Sequence, residues 1–402
     1  MRLLRKSYGG YFVDIFDHVH DRNYTRSVKW DLRKAIFGTD DVIPMWVADM
    51  DFPAPSEVNE AIMERAKHGI YGYTTIDQDV NQAIVDWQFK RHNWQIKPSW
   101  LLFSPGVVTG LHMAIQALTN PGDKILIQTP VYTPFYDVIE THNREIIKNP
   151  LVLENNHYTI DFNNLEAKLK TGVKAFILCS PHNPVGRVWT KNELEKIAHL
   201  CLKYDVLILA DEVHADLVFP EHQHTPIAAI CKDSSAQIVT FNAPSKTFNL
   251  AGLQASYIIT ENEKLRTKIN KQLNKQGITA LNTVGNIALE AAYTYGEQWL
   301  DHLLHVLHEH KQYVARRFKR ETDVLDVVNS EGTYLLWLNC HKFEMDPSDL
   351  RQFFIKKAKV GLNPGSSYGH EGNAFMRMNI ACPRQTLEEG VNRIIQAVND
   401  HF

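Results

Sequence analysis

The stretch FNAPSKTFNLAG, residues 241–252, places a single lysine in a turn directly after an apolar, β-branched segment. Residues 237–241 are predicted to form a β-strand because they contain Ile, Val, Thr and Phe. Lys246 has Ala243, Pro244, Phe248 and Leu250 as neighbours. Two explanations are open: a surface lysine that keeps its ammonium in water, or a poorly solvated amine whose lowered pKa suits a nucleophile or base.

Other short apolar segments lie at 124–128, 175–179, 206–210 and 256–260. They lack clean polar alternation, as expected of strands that are covered on both faces. Helical patterns at 107–118 and 191–204 fit between them, which predicts βαβ units and a mostly parallel sheet. The fold class is therefore α/β.

The pattern changes after about residue 290, where a long helical stretch at 297–321 precedes strand-like segments and two further helices. This predicts a smaller α+β domain at the carboxyl end. We expect three parts: residues 1–48 form an arm or segment that packs with the small domain, residues 49–290 form the large domain, and residues 291–402 form the small domain.

Bulk composition excludes several functional classes. The chain has 43 basic and 46 acidic residues, without a basic stripe, so nucleic-acid binding is not expected. No apolar stretch approaches the length that spans a membrane. The five cysteines include no C-x-x-C pair, which indicates a reducing, cytoplasmic setting rather than disulfides or zinc. They are Cys179, Cys201, Cys231, Cys340 and Cys382.

Polar side chains follow two other predicted strands. Asp211 and Glu212 come directly after an apolar run, where the carboxyl end of a strand in an open α/β sheet lines the ligand crevice. Either they begin a solvated loop, or Asp211 is a buried carboxylate that needs a cationic partner. Asn183, in LCSPHNPVGRVW, is either a turn residue or an amide that faces a ligand oxygen.

The segment LLFSPGVVTGLHMAI, residues 101–115, reads as a strand, a Pro-Gly turn and a helix. Free N–H groups in the first helical turn, at Val107, Val108 and Thr109, can bind a phosphate. A glycine before a helix is common, so by itself it is weak evidence for a phosphate site. An amine, a carboxylate, an amide and a phosphate seat at one sheet edge form the set that holds pyridoxal 5′-phosphate.

The sequence resembles the fold-type I pyridoxal-phosphate enzymes of the class I/II aminotransferase superfamily, and within it the PatB/MalY group of cystathionine β-lyases, or C–S lyases. The resemblance covers the chain from about residue 29 onward. Its motifs occur in order as IPMWVADMDFPAPSEV, YGYTT, SPHNPVGRVW, ADEVHADLVF, APSKTFNLAGL, EGTYLLWL and RMNIACPR. It implies a large domain with a mostly parallel seven-stranded sheet flanked by helices, and a smaller α+β domain.

The resemblance also implies roles around the cofactor ring. Lys246 would be bonded covalently to pyridoxal 5′-phosphate, and Asp211 would keep its ring nitrogen protonated. Asn183 would donate a hydrogen bond to the phenolic oxygen and also contact substrate. Tyr132 would stack on the ring and act in catalysis and substrate binding, although a core aromatic is the other explanation. His214 would be a further cofactor contact, at the position where aminotransferases often have a tyrosine that hydrogen-bonds the phenolic oxygen.

Further implied contacts concern the phosphate, the substrate and the second subunit. Ser245 would join the helix start in cradling the phosphate. Tyr71, or alternatively Tyr73, would reach the phosphate from a neighbouring subunit, which implies a homodimer with a shared active site. Arg377 would bind the substrate carboxylate as a bidentate fork, unless it pairs with Glu371. Gln254 departs from the superfamily, which often has arginine at that position.

No metal site is expected. His214, His222 and His224 lack a further ligand at suitable spacing. A second group, at residues 302–310, lies beside apolar positions of a helix and is expected on its solvated face.

The function implied is α,β-elimination of L-cystathionine and related cysteine S-conjugates to a thiol, pyruvate and ammonia. The alternatives are an aminotransferase of the same fold and a regulatory binding protein that kept the fold.

Overall fold

The computed structural model describes residues 15–230 and 237–402; Cys231 and part of the amino-terminal arm lie outside them. The strands are mostly short, and in chain order they are β1 (Ile43–Pro44), β2 (Leu101–Ser104), β3 (Lys124–Thr129), β4 (Glu145–Glu154), β5 (His157–Ile160), β6 (Val173–Cys179), β7 (Leu207–Asp211), β8 (Ile238–Asn242), β9 (Ser256–Ile259), β10 (Asp326–Val327), β11 (Leu335–Asn339), β12 (Val360–Gly361), β13 (Asn363–Pro364) and β14 (Phe375–Asn379).

The large sheet has the strand order β2-β9-β8-β7-β6-β3-β4-β5. Its central ladders, from β8 through β7, β6 and β3 to β4, are parallel. The ladders of β9 with β8 and β2 are antiparallel, as is that of β5 with β4. The predicted α/β class with a mostly parallel sheet is confirmed.

The sheet has eight strands rather than the expected seven. The long strand β4 turns back on itself through Asn155 and Asn156, which have φ angles of 50° and 62°. Two consecutive residues with positive φ form the tight turn that suits a two-residue hairpin, and asparagine tolerates this conformation. The hairpin adds β5 as an edge strand.

Burial explains why the central strands could be read from sequence. All residues of β8 are buried, and in β3, β6 and β7 almost all are. Helices cover both faces, as expected for a parallel sheet. Across the described residues the α-helices are Val28–Asp31, Arg33–Phe37, Ser56–His68, Gln78–His92, Val107–Leu118, Pro134–Thr141, Phe162–Leu169, Lys191–Lys203, Ile227–Ile230, Pro244–Thr247, Glu263–Lys275, Thr283–Tyr295, Glu297–Glu321, Pro347–Lys356 and Arg384–His401.

Local side-chain chemistry sets where several helices begin. The Asp77 carboxylate accepts hydrogen bonds from the backbone N–H groups of Asp79 and Val80. Thr190 and Glu193 form a reciprocal capping box at the start of helix Lys191–Lys203. Such caps satisfy N–H groups that have no partner within the helix.

A smaller sheet, in the order β10-β11-β14-β13, lies in the carboxyl-terminal part of the chain. β1, near the amino end, pairs in parallel with β12, so the segment that follows β1 lies against the carboxyl-terminal elements. Among the described residues, no helix combines the length and the apolar character needed to cross a lipid bilayer.

Candidate functional site

A cavity of about 190 Å³ lies at the carboxyl ends of the parallel strands of the large sheet. In an open α/β sheet this edge is where ligands bind. The lining contains most residues predicted from sequence. The full set is Ala48, Gly106, Val107, Val108, Thr109, Tyr132, Cys179, Asn183, Asp211, Val213, His214, Ser245 and Lys246.

Lys246 lies on the one-turn helix Pro244–Thr247, which follows β8 directly. Its Nζ donates a hydrogen bond to the Ala48 carbonyl oxygen at 2.8 Å. Burial, together with the charge of Arg377, lowers the pKa of Lys246 to about 8. Lys246 is therefore a poorly solvated amine that lines a pocket, and the surface explanation is wrong.

Asp211 is the last residue of β7 and lies beside Cys179, the last residue of β6. Only 4% of Asp211 is exposed, and its Oδ1 accepts a hydrogen bond from the Val213 N–H at 3.1 Å. Burial raises the pKa of Asp211 to about 7. Of the two readings of this carboxylate, the structure supports the buried one.

Asn183 and Arg377 come from distant parts of the chain and meet in the site. Arg377, on β14, donates to Asn183 Oδ1 at 3.1 Å and to the Trp46 carbonyl oxygen at 2.9 Å. Its guanidinium lies over the Tyr368 ring at 5.1 Å. Among the described residues it forms no ion pair with Glu371 or any other carboxylate, and its Nε has no partner. The guanidinium, which contacts the cavity-lining Asn183, thus keeps one unused donor.

Tyr132 and His214 are the two aromatic side chains that line the cavity. Tyr132 is half-buried, and its backbone N–H donates to the Asn183 carbonyl oxygen at 3.1 Å. Burial and the nearby Asp211 raise the pKa of Tyr132 to about 12. His214 is buried with its Nδ1 unpartnered, and burial lowers the pKa of its ring to about 3. Both therefore act as neutral groups.

The start of helix Val107–Leu118 forms one wall of the cavity. Gly106 precedes the helix, and no side chain caps its first N–H groups. Within the helix, Gly110 lets it pack closely on the sheet, because a Cβ there would lie 3.1 Å from the Phe241 ring and from Ser104 Oγ. Ser245 faces the same cavity. Gln254 is exposed and is not among the lining residues.

Tyr71 and Tyr73 do not belong to the cavity of this single chain. Tyr71 is 59% exposed, and its hydroxyl donates to the Ala66 carbonyl oxygen at 3.4 Å. The Tyr73 side chain is fully exposed. Both tyrosines therefore stay candidates for contact with a second subunit.

Sequence reasoning missed the contacts that hold the segment before Met50. The Ala48 carbonyl also accepts from the Tyr334 hydroxyl at 2.9 Å. Asn379 donates to the carbonyl oxygens of Val47 and Asp49, both at 2.6 Å, and Asn249 pairs with the Met50 backbone. The sequence carried one indication of these contacts, because each of the apolar segments TFNLAG and RMNIAC contains a single asparagine.

The histidines of helix Glu297–Glu321 divide between solvent and core. His302 and His305 are exposed, but His310 is buried and bonds the Ile380 carbonyl oxygen through Nδ1 at 3.0 Å. The expectation of a solvated face was wrong for His310, since the helix turns it onto the small domain. Within residues 15–230 and 237–402, no three His, Cys, Asp or Glu side chains are grouped to hold a metal.

The donor set of the cavity fits pyridoxal 5′-phosphate. Asp211 has no ion-pair partner in the described chain, and a protonated ring nitrogen would supply one. Uncapped N–H groups at Val107 and Val108 leave donors for a phosphate. Lys246 offers an amine of lowered pKa for covalent attachment.

The chain is similar to known proteins over nearly its whole length. The chain is 44% identical over 385 residues to cystathionine β-lyase PatB of Bacillus subtilis, covering 96% of this chain and all of PatB. It is 33% identical to protein MalY of Escherichia coli, covering 95% and 98%. The structure superposes on the pyridoxal-phosphate-bound C–S lyase of Staphylococcus hominis with a TM-score of 0.89 and 32% identity, covering 96% and 99%.

The predicted resemblance to the PatB/MalY group is confirmed. The family model for aminotransferase class I and II matches residues 40–394. This chain belongs to the class I and II aminotransferase family.

Proposed function

We propose that this chain is a pyridoxal-phosphate-dependent C–S β-lyase that cleaves L-cystathionine and related cysteine S-conjugates. Each turnover consumes one water and gives a thiol, pyruvate and ammonia. With cystathionine the thiol is homocysteine. The observation that carries the proposal is the convergence of Lys246, Asp211 and Asn183 on one cavity at the sheet edge, with Arg377 hydrogen-bonded to Asn183. The likeness to a cystathionine β-lyase and to a C–S lyase supports it.

The cofactor is pyridoxal 5′-phosphate, and four side chains would hold its ring while a helix start and Ser245 would hold its phosphate. Lys246 would bond it covalently, Asp211 would pair with its ring nitrogen, and Tyr132 would lie on its ring. Asn183 would donate to its phenolic oxygen, and the helix start with Ser245 would bind its phosphate. When bound, the cofactor supplies an electron sink for the negative charge that forms when the Cα–H bond breaks.

The chain's own residues then position and deprotonate the amino acid. Arg377 binds the α-carboxylate as a fork and fixes the orientation of the Cα–H bond. Lys246, as a neutral amine, takes the Cα proton, which its lowered pKa favours. Asp211 stays anionic beside a cation, because a charge partner in a buried site offsets the cost of burial. The thiolate leaves from Cβ and takes up a proton.

An aminotransferase would use the same contacts but would need an added keto acid to complete its cycle. The lyase assignment therefore has a direct assay. Purified protein with cystathionine and no keto acid should form pyruvate and a free thiol in equal amounts. Turnover that starts only after a keto acid is added would assign the chain as an aminotransferase.

The proposal includes a homodimer in the cytoplasm. Tyr71 or Tyr73 would complete the phosphate site of the partner subunit, which fits their exposure in the single chain. Buried free thiols at Cys179, Cys340 and Cys382 suit a reducing compartment. A regulatory protein without catalysis would bind the cofactor but release no pyruvate.

A further inference from the structure

A buried carboxylate behind the cavity is not used by the reaction described above. Asp216 is 5% exposed and lies in the loop after β7. It accepts a hydrogen bond from the Thr247 hydroxyl at 2.7 Å on Oδ2. Thr247 follows Lys246 directly and ends the same one-turn helix. The carboxylate thus contacts the lysine turn on the side away from the cavity.

Two donors from another helix hold Asp216 in place. The Trp87 Nε1–H lies 3.1 Å and 3.2 Å from its two oxygens, and His92 Nε2 lies 2.9 Å from Oδ1. Both residues belong to helix Gln78–His92 and are buried. Burial alone would raise the pKa of Asp216, but hydrogen bonds from His92 and Thr247 hold it below the usual value. The Asp216 carboxylate is therefore an anion, and both of its oxygens have hydrogen-bond donors.

We propose that Asp216 is a positioning residue for Lys246. It ties the one-turn helix of the lysine to helix Gln78–His92 through the Thr247 hydroxyl, and this fixes where the amine points. A turn of four residues has few backbone bonds of its own, so a charge-assisted side-chain bond carries much of its rigidity. The inference deepens the proposed function, because a misplaced base costs rate rather than binding.

The test removes one hydroxyl. Thr247→Val keeps the shape of the side chain but cannot donate to Asp216, whereas Thr247→Ser keeps the hydroxyl. We expect Thr247→Val to lower kcat about tenfold with KM nearly unchanged, and Thr247→Ser to stay close to wild type. Thr322→Val is the matched control, because Thr322 is also buried and donates only within its own segment, to Phe318 and Leu325.

A second readout needs neither catalysis nor cofactor. In the cofactor-free protein, the rate of Lys246 acylation by an amine-reactive ester is followed by peptide mass spectrometry across pH. If Thr247→Val frees the lysine turn, Lys246 becomes better solvated. The midpoint of its acylation rate against pH should then lie ~0.5 pH unit higher in Thr247→Val than in Thr247→Ser. His92→Leu removes a hydrogen bond to Asp216 from the side opposite Thr247. It should shift the acylation midpoint in the same direction.

Equal kcat and equal acylation midpoints in the valine and serine variants would overturn the inference. A loss of kcat in Thr322→Val as large as in Thr247→Val would assign the effect to general stability and would also overturn it. If the wild-type protein shows no lyase turnover, the proposed function fails, but the acylation comparison still decides the role of Asp216.

Discussion

The Lys246 side-chain nitrogen lies 2.8 Å from the backbone carbonyl oxygen of Ala48, nearly two hundred positions earlier in the chain. A carbonyl oxygen orients an amine without adding a full negative charge. Burial and the positive Arg377 therefore prevail, and they lower the pKa of Lys246 to about 8. Close to neutral pH, a useful fraction of the lysine is already uncharged and able to act as nucleophile or base.

Replacing Lys246 with alanine should abolish turnover, with a loss of roughly a thousandfold or more, because both the covalent link and the proton acceptor disappear. Borohydride reduction of the wild-type holoenzyme and peptide mapping should place the cofactor label on Lys246. Lys191→Ala, at an exposed position, should keep wild-type activity. A label on any other lysine would contradict the assignment.

Replacing Asp211 with asparagine should stabilise the cofactor-free protein while impairing the enzyme. The pKa of Asp211 is raised from 3.8 to about 7 in the folded chain. Between these values the unfolded chain binds fewer protons, so wild-type stability falls as the pH rises from about 4 to 7. Asp211→Asn lacks this loss and should exceed wild type by roughly 1–3 kcal/mol above pH 7.

Urea unfolding of the cofactor-free proteins across pH measures this difference. Asp326→Asn, at an exposed position, should follow the wild-type profile. An Asp211→Asn profile parallel to wild type would show that Asp211 is not the buried group that costs stability.

Replacing Arg377 with lysine should raise KM for amino-acid substrates by about ten- to a hundredfold, with a smaller fall in kcat. Lysine offers a point charge instead of a planar fork, and it cannot maintain both the Asn183 and the carboxylate contacts. Steady-state kinetics measures the split. The partly exposed Arg393→Lys serves as control, and an unchanged KM in Arg377→Lys would place the substrate carboxylate elsewhere.

Mixed dimers should reveal whether the active site is shared. If Tyr71 acts across the interface, Lys246→Ala inactivates the site of its own subunit, whereas Tyr71→Ala inactivates the site of the partner subunit. A mixed dimer then has one site with both defects and one intact site, so mixing the two inactive proteins should restore activity. Repeating the mixture with Tyr73→Ala identifies which tyrosine crosses. No recovery with either tyrosine variant would argue for independent sites.

Local pattern was sufficient for the central strands and for the residues at their ends. β7 ends at Asp211 and β8 ends just before the Lys246 turn, as the apolar runs indicate, because burial on both faces leaves a continuous signal. The eighth strand was missed because its hairpin depends on two asparagines with positive φ. The Ala48 carbonyl and Tyr334 were missed because backbone acceptors and long-range contacts leave no local pattern.

The uncapped amino end of helix Val107–Leu118 bears on how this site can fail. Peptide N–H groups belong to the main chain, so ordinary substitutions at Val107 or Val108 leave these donors in place. Because Gln254 is exposed to solvent, phosphate binding would depend largely on these backbone N–H groups, which most point mutations leave unchanged. Weaker phosphate binding should therefore follow from proline substitutions in the first turn of this helix, which remove an N–H, more than from other side-chain changes there.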